Sequence, residues 1–486
     1  LFCVGLLLAA ASSLHSCRFG APERRTPRHV VLISIDTLRA DRLGIYGYSR
    51  DTTPHIDRFF SDKSVFRRAS SSAPCTRPSV FQFLVGVLRP EATRESTSSE
   101  EQGGRADGGG GTGAKGTLAE VLRRRGFRTA AVLANSNFTR GRHGRGYDFY
   151  TNVDFNIEDG HGRSRISPRK KQQSMYRVTE TALSWLEQNR DAEALHLWVH
   201  YFGPHRPFYP PERHRRFSRV SPENWLRELT RDDRVGDTRG RLEDAPPRDA
   251  HELESSIRQR VPQLTGLPES QHWHVRGDVF SESQVKYFSD SYDDDIAFVD
   301  EEVGKLLRRL EVLGLADDSL IILTSDHGEW LGEEDVWHHC NSLHGRELHV
   351  PLLVSLGGGP LEGGTGSDAT TSTLDIVPTV LDALGIEPPR ESDGTSLLDA
   401  GADRAAVAFW QRTFTVRKGR WKLYRGDFNG LFDLTTDPTE SENLADRHPD
   451  VVRELERSLA EHLRHEPELR KENEELIEQL ESLGYL

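Results

Sequence analysis

The apolar positions of this chain fall into two alternating patterns. In the first, short apolar runs rich in β-branched residues stop abruptly at a polar side chain. His29–Ile35 ends before Asp36, and residues 320–325 end before Asp326. Residues 128–134, 195–202 and 350–355 have the same character. Runs of this length and composition predict buried strands. In the second pattern, apolar residues recur at the helical spacing. Residues 117–125, closed by Gly126, read this way, as do Val299, Val303, Leu306, Leu307, Leu310 and Leu313. Strand and helix alternate, so the predicted fold is α/β: a mostly parallel central sheet sandwiched by helices.

Other stretches lack the core pattern. Residues 91–116 are rich in Glu, Ser and Gly and read as a loop, and residues 228–280 are charged and weakly periodic and read as an insertion. Pro388-Pro389 marks the approach to a smaller C-terminal α+β subdomain at 400–486, leaving 28–390 as the main domain. The subdomain opens with strand-like pieces at 407–410, 413–416 and 420–424. It closes with Leu455, Leu459 and Leu463 and then, after Pro467, with Leu476, Leu480 and Leu483. That stripe spans too few heptads for a coiled coil and predicts helices docked on the body. The first 14 residues are apolar over a signal-peptide length, too short for a membrane span. Residues 1–17 are read as a leader for export, in preference to a buried N-terminal element. Leu14-His15-Ser16-Cys17 loosely resembles a lipoprotein cleavage box, but His15 fits it poorly and lipidation of Cys17 is disfavoured. The expected location is periplasmic, extracellular or lipid-anchored at the envelope, with any membrane attachment through the N-terminus alone.

Charge narrows the partners. The 486 residues carry a net charge of −13, which argues against a nucleic-acid binder. An anionic substrate would need local positive charge, such as a metal, against that background. Of four cysteines two lie in the leader, and Cys75 and Cys340 alone make no disulfide framework and fit no zinc module.

Ligands gather beyond the carboxyl ends of strands in an open parallel sheet. Asp36 and Asp326 both stand there, and His327 follows directly. Two carboxylates and an imidazole suit a divalent cation. Singly, an Asp after a strand more often caps a helix or makes a turn. Between them lies Ser71-Ser72-Ala73-Pro74-Cys75-Thr76-Arg77-Pro78 with an apolar run behind it. Pro78 suits a first helical turn, which puts Thr76 at the helix N-terminus, where amides and dipole favour an anion. A hydroxyl held there by a metal can attack phosphorus or sulfur. The plainer reading makes Thr76 an N-cap.

These motifs resemble those of the sulfatase family in the alkaline phosphatase superfamily. Asp36-Thr37-Leu38-Arg39-Ala40-Asp41 looks like its opening, and Ser325-Asp326-His327-Gly328-Glu329 like its second metal motif. Thr117-Leu118-Ala119-Glu120, the His200-Tyr201-Phe202-Gly203-Pro204-His205 run, Asn341-Ser342-Leu343, Asp375 and its helix, and Leu431-Phe432-Asp433-Leu434 follow in the family's order to the C-terminus. The resemblance implies an alkaline-phosphatase-like fold, ester hydrolysis and one divalent metal: calcium first, with manganese, magnesium or zinc as alternatives. It implies Asp36, Thr37, Thr76, Asp326 and His327 as metal residues. Thr76, His205 and His339 become catalytic, and Arg77, His200 and Asn135 substrate-binding. His200 reads alternatively as a core histidine, and His338 as a surface residue.

The departures shape the chemistry. The register that keeps Pro78-Ser79 in place puts Thr76 where the family's formylglycine cysteine stands and Val80 where its arginine stands. Cys75 is then a neighbour, and no formylglycine is expected. Thr37 replaces a second Asp ligand, and the family's lysine-bearing stretch is missing near Asn135 and Asn137. The set also resembles Thr-using phosphotransferases, which usually begin with Glu. A formylglycine hydrate expels sulfate by collapsing to the aldehyde. A threonine ester must instead be cleaved by a second attack at sulfur or phosphorus. The expected function is hydrolysis of sulfuric or phosphoric esters of small molecules, glycans or lipid headgroups. The alternatives are a phosphoryl-headgroup transferase and a catalytically inactive binding protein.

Overall fold

The computed structural model describes residues 26–88, 116–219, 282–464 and 474–482, apart from positions 139, 142, 154–155, 159–163, 362–364, 390–391 and 400–403. The expected leader at 1–17, nearly all of the 91–116 loop and the 228–280 insertion lie outside the described residues.

Eight strands build the central sheet: β1 (His29–Ile35), β2 (Ser64–Ser70), β3 (Arg128–Leu133), β4 (Phe149–Asn152), β5 (Leu195–Tyr201), β6 (Ser319–Ser325), β7 (Leu352–Leu356) and β8 (Gly366–Ser372). Their spatial order is β8-β2-β7-β6-β1-β5-β3-β4. Every pairing is parallel except the two made by β7, which runs against both β2 and β6. The expected mostly parallel sheet is therefore present, with one reversed strand. Every residue of β1, β5 and β6 is buried, which is why these segments read as unbroken apolar runs.

The pleat divides β1 between two layers. Val31, Ile33 and Ile35 pack with α1 (Pro54–Phe60), α4 (Pro168–Asn189) and α5 (Glu282–Val312). Val30 and Leu32 pack with α2 (Thr76–Val85), α3 (Leu118–Arg124) and α6 (Ile376–Ala383). Helix α3 starts where its sequence says it should: the Thr117 hydroxyl accepts from the Glu120 amide and the Glu120 side chain accepts from the Thr117 amide.

Towards the C-terminus, β9 (Ala406–Trp410), β10 (Thr413–Lys418), β11 (Trp421–Gly426) and β12 (Gly430–Asp433) form an antiparallel meander. Helix α7 (Pro449–Arg464) buries Leu455, Leu459 and Leu463 against one face of it, and α8 (Glu474–Ser482) adds Ile477 and Leu480. The Leu476 side chain and Leu483, expected on the same stripe, lie outside the described residues. From this meander Ala408, Trp410, Tyr424 and Phe432 join Cys75, Leu343 and Leu348 in one apolar cluster. Among the described residues no helix is long and apolar enough to cross a membrane.

Candidate active site

Register sets the site. Ile35, the last residue of β1, pairs with Ser325 of β6 on one side and Tyr201 of β5 on the other. The next residue along β1 is Asp36 and the next along β6 is Asp326, so two carboxylates 290 residues apart in sequence leave neighbouring strand ends together. Ligand-capable atoms of Asp36, Asp326 and His327 lie within 4.8 Å of one another, and all three residues are buried. Oδ1 of Asp326 accepts the amides of Thr37 at 3.0 Å and His327 at 2.9 Å. Its Oδ2, and Oδ1 of Asp36, have no hydrogen-bond partner. Burial, and then the charge of Asp326, pushes the Asp36 carboxyl well above the usual carboxylate range. His327 offers its Nδ1–H to the Gly328 carbonyl at 2.9 Å, a group that can only accept, which leaves Nε2 as a lone pair. Two orphaned carboxylate oxygens and one imidazole nitrogen, all on buried residues, fit a divalent cation.

Thr76 is the first residue of α2, and its Oγ1 lies 3.1 Å from His327 Nε2. The hydroxyl makes no cap to its own helix: the N-cap is Cys75, which gives no side-chain cap either. Cys75 is disulfide-bonded to Cys340, with Cα atoms 4.9 Å apart. This corrects the sequence reading, in which the two cysteines carried no pairing; 265 residues separate them, and only the fold brings them together. Thr37 sits beside Asp36 in a left-handed backbone conformation (φ 57°), with its carbonyl held by the Tyr292 hydroxyl at 2.7 Å.

Asn135 and His200 gain a contact the sequence did not suggest. Asn135 Nδ2 donates to Asp36 Oδ2 at 2.6 Å, and His200 Nε2 stands 3.6 Å from the same oxygen. His200 is anchored behind it, Nδ1 bonding the Ser34 hydroxyl at 2.8 Å, and burial pushes its pKa down to about 4. Both residues therefore brace the Asp36 carboxyl. Arg77 is half-buried in the first turn of α2.

The remaining histidines converge. The His339 ring lies 4.6 Å from that of His327 and 4.9 Å from that of His205, centroid to centroid. His205 donates Nδ1–H to the Arg206 carbonyl at 2.6 Å, and burial followed by the neighbouring His339 holds it well below the usual histidine range. His339 Nδ1 lies 3.2 Å from Glu329 Oε2, and Arg206 Nε lies 3.5 Å from Glu329 Oε1. Burial would raise Glu329, but His339 and Arg206 outweigh it and hold the carboxyl at about 2. The loop carrying His205 and Arg206 has two cis X-Pro bonds, Gly203–Pro204 and Arg206–Pro207. Beneath it the buried Lys171 donates to the carbonyls of His205 and Pro207 and pairs with Asp295 at 2.7 Å. His338, expected at the surface, is half-buried with Nε2 3.2 Å from Arg206 Nη1. Arg39, itself buried, pairs with the exposed Asp41 and the half-buried Glu333, each at 2.7 Å.

The sulfatase family model matches residues 28–386. The chain belongs to the sulfatase family. An N-acetylglucosamine-6-O-sulfatase of Bacteroides thetaiotaomicron is 23% identical over 511 aligned residues, spanning 90% of this chain and 86% of that protein. A structure solved in complex with its substrate D-glucosamine-2-N,6-O-disulfate superposes with a TM-score of 0.62 at 20% identity, over 93% of this chain and 99% of the other. A phosphonate monoester hydrolase of Agrobacterium radiobacter superposes with a TM-score of 0.61 at 19% identity, over 90% and 96%. Both superpositions show the shared α/β architecture. This sulfatase-family chain is thus an ester hydrolase of the sulfatase type. Two of its site residues escaped the sequence reading. Glu329 stood inside the second metal motif without a role, and Arg206 stood next to His205. Glu329 stands two residues after His327 and Arg206 directly after His205, and adjacency to a candidate histidine is the signal that marks them.

Proposed function

We propose that this sulfatase-family chain hydrolyses sulfuric or phosphoric esters with the Thr76 hydroxyl as nucleophile. The observation that carries the reading is the 3.1 Å approach of Thr76 Oγ1 to His327 Nε2, beside two unpartnered carboxylate oxygens. Asp36, Asp326 and His327 would hold one divalent cation, with calcium the family's first expectation; Thr37 lies beside them. When bound, the cation supplies charge that lowers the pKa of a nearby hydroxyl and offsets the anionic substrate. The chain's own residues do the rest. Thr76 Oγ1, its proton lost to solvent, forms a bond to sulfur or phosphorus as the bond to the leaving oxygen breaks. His339, its Nδ1–H fixed on the Glu329 carboxylate, gives the Nε2 proton to that oxygen. Water then enters on the face the leaving group vacated, and the same Nε2 takes its proton as the threonine ester is cleaved. His205, held neutral with Nδ1–H on the Arg206 carbonyl, presents Nε2 as an acceptor, which suits a substrate hydroxyl. Arg206 brings positive charge in place of the arginine that Val80 has lost.

A sulfated sugar is the substrate class the relatives favour, because one was solved with a glucosamine disulfate and another is named for N-acetylglucosamine 6-sulfate. The Cys75–Cys340 bond supports folding in an oxidising compartment, in keeping with export. The test is a screen of aryl sulfates, sulfated sugars, phosphate monoesters and phosphodiesters with calcium, magnesium, manganese and zinc. Wild type is compared with Thr76→Ala and Cys75→Ala. Thr76→Ala should abolish turnover while Cys75→Ala keeps a measurable rate; the reverse ranking overturns the nucleophile assignment. Turnover that requires an added acceptor points to the transferase, and inertness with every metal points to the binding protein.

A further inference from the structure

We propose that the Cys75–Cys340 disulfide is a positioning element of the active site, holding His339 in place against the Thr76 hydroxyl, and that full turnover requires the bond to be oxidised. This rests on the roles given above to Thr76 and His339. The two cysteines are the chain neighbours of those residues: Cys75 is the N-cap before Thr76, and Cys340 directly follows His339. The bond therefore ties the backbone one residue from the nucleophile to the backbone one residue from the proton donor. A second tie runs beside it, the Cys340 amide donating to the Pro74 carbonyl at 3.0 Å.

The segment needs such a tie. His338 (φ 79°) and Cys340 (φ 65°) both sit in the left-handed region, on either side of His339. For residues with a Cβ that conformation is unfavourable and persists only where surroundings impose it. Downstream the chain is well anchored. Lys422 Nζ and the Tyr424 hydroxyl both donate to the Leu343 carbonyl, at 2.6 and 3.1 Å, and Glu347 accepts the Ser342 amide at 2.9 Å. Upstream, Trp337 and His338 pair with Leu331 and Trp330 in a two-residue ladder, Trp337 packs edge-to-face on Phe288, and His338 Nε2 lies 3.2 Å from Arg206 Nη1. His339 stands at the junction, and the disulfide fixes that junction to α2. Cys75 is buried whereas Cys340 is half-buried, so an added thiol can reach the bond from the loop side.

Reduction by a dithiol transfers two electrons and two protons to the bond, leaves two thiols and releases the reagent as its own disulfide. With the fastest substrate in the screen described above, the reduced protein should lose at least tenfold in kcat with KM changed less than threefold, while its melting temperature stays above the assay temperature. Reoxidation should restore kcat. Cys75→Ala, Cys340→Ala and the double variant should share the low kcat and ignore reductant. Cys340→Gly, which removes the left-handed penalty but not the break, should be as slow. A kcat within twofold of wild type after reduction, or in Cys340→Gly, would make the bond a mere staple and overturn the proposal. So would two free thiols in protein folded under oxidising conditions. The nucleophile assignment fails separately: if Thr76→Ala keeps turnover, that reading falls, and the redox dependence of wild-type kcat still scores the disulfide.

Discussion

Replacing Asp326 by asparagine should make the metal-free protein more stable while removing its response to metal. Without a cation, two buried carboxylates face each other with their ligand oxygens within 4.8 Å. At an effective dielectric near 20, like charges at that range repel by about 3–4 kcal/mol. Burial, then this repulsion, is what raises Asp36, so the metal-free site relieves part of the cost by taking up a proton. The amide oxygen of asparagine can keep the hydrogen bonds from the Thr37 and His327 amides, and its nitrogen takes the place of the unpartnered Oδ2. The net gain should be about 2 kcal/mol. Unfolding entropy of about 2 cal/mol/K per residue makes that a rise of roughly 2 °C in a chain of this length. Wild type at a hundredfold excess of metal over Kd gains about 2.7 kcal/mol and overtakes the variant. Calorimetry in chelator and in saturating calcium, repeated with manganese, reads both effects. An Asp326→Asn protein that melts below wild type in chelator, or that still shifts with metal, refutes the assignment of these carboxylates as a cation site.

Three further outcomes follow from buried charges. Glu329→Gln keeps the shape beside His339 but removes its charge, so kcat should fall ten- to a hundredfold on esters with poor leaving groups and little on nitrophenyl esters; a uniform loss would contradict a role in proton donation. Lys171→Met leaves Asp295 buried without its partner and should cost about 3–5 kcal/mol in denaturant titrations. Lys171→Met combined with Asp295→Leu should recover stability but not kcat/KM, because the His205 and Pro207 carbonyls stay unheld. Asp300 caps α1 by accepting the amides of His55 and Ile56, and burial pushes its pKa up to about 7. A raised carboxyl keeps its proton in the folded state, so its contribution is fully present near pH 4 and is lost as pH rises through 7. Wild type should therefore lose up to about 4 kcal/mol over that interval relative to Asp300→Asn, read as the difference between their denaturant midpoints.

What the sequence revealed follows from where each element sits. β1 and β6 are covered on both faces, so they carry unbroken apolar runs and ended legibly at their carboxylates. β2 and β8 lie towards one edge and hold Ser, Arg, Asp and Thr, so nothing in their composition announced a strand. Helix α4 shows the core only Met175, Val178, Ala182, Trp185 and Leu186, a single stripe diluted by a basic first turn. The candidate cation residues Asp36, Asp326 and His327 were legible because they sit in compact motifs at strand ends. Glu329 and Arg206 were not, since a charged side chain reads as solvated until the fold buries it against His339 and His338. The Cys75–Cys340 pairing left no local trace, for 265 residues lie between its halves.

The reversal of β7 is the feature no periodicity could disclose, because alternation has no direction, and it completes the site. In a parallel sheet only segments that follow strands reach the carboxyl edge. Asp36, Asp326 and His205 follow β1, β6 and β5, and Thr76 follows β2. β7 begins with Leu352 opposite Thr324, so the chain that precedes it arrives at that same edge. His339 and Cys340 lie on that approach. β2 and β7 are neighbours, with Leu353 paired to Val65, so the exit of one and the entry of the other run side by side to the point where Cys75 meets Cys340. Had β7 run parallel, the segment before it would enter the sheet at the opposite edge, away from Thr76. The topology thus brings Thr76 and His339 to one place, where the disulfide joins the residues beside them.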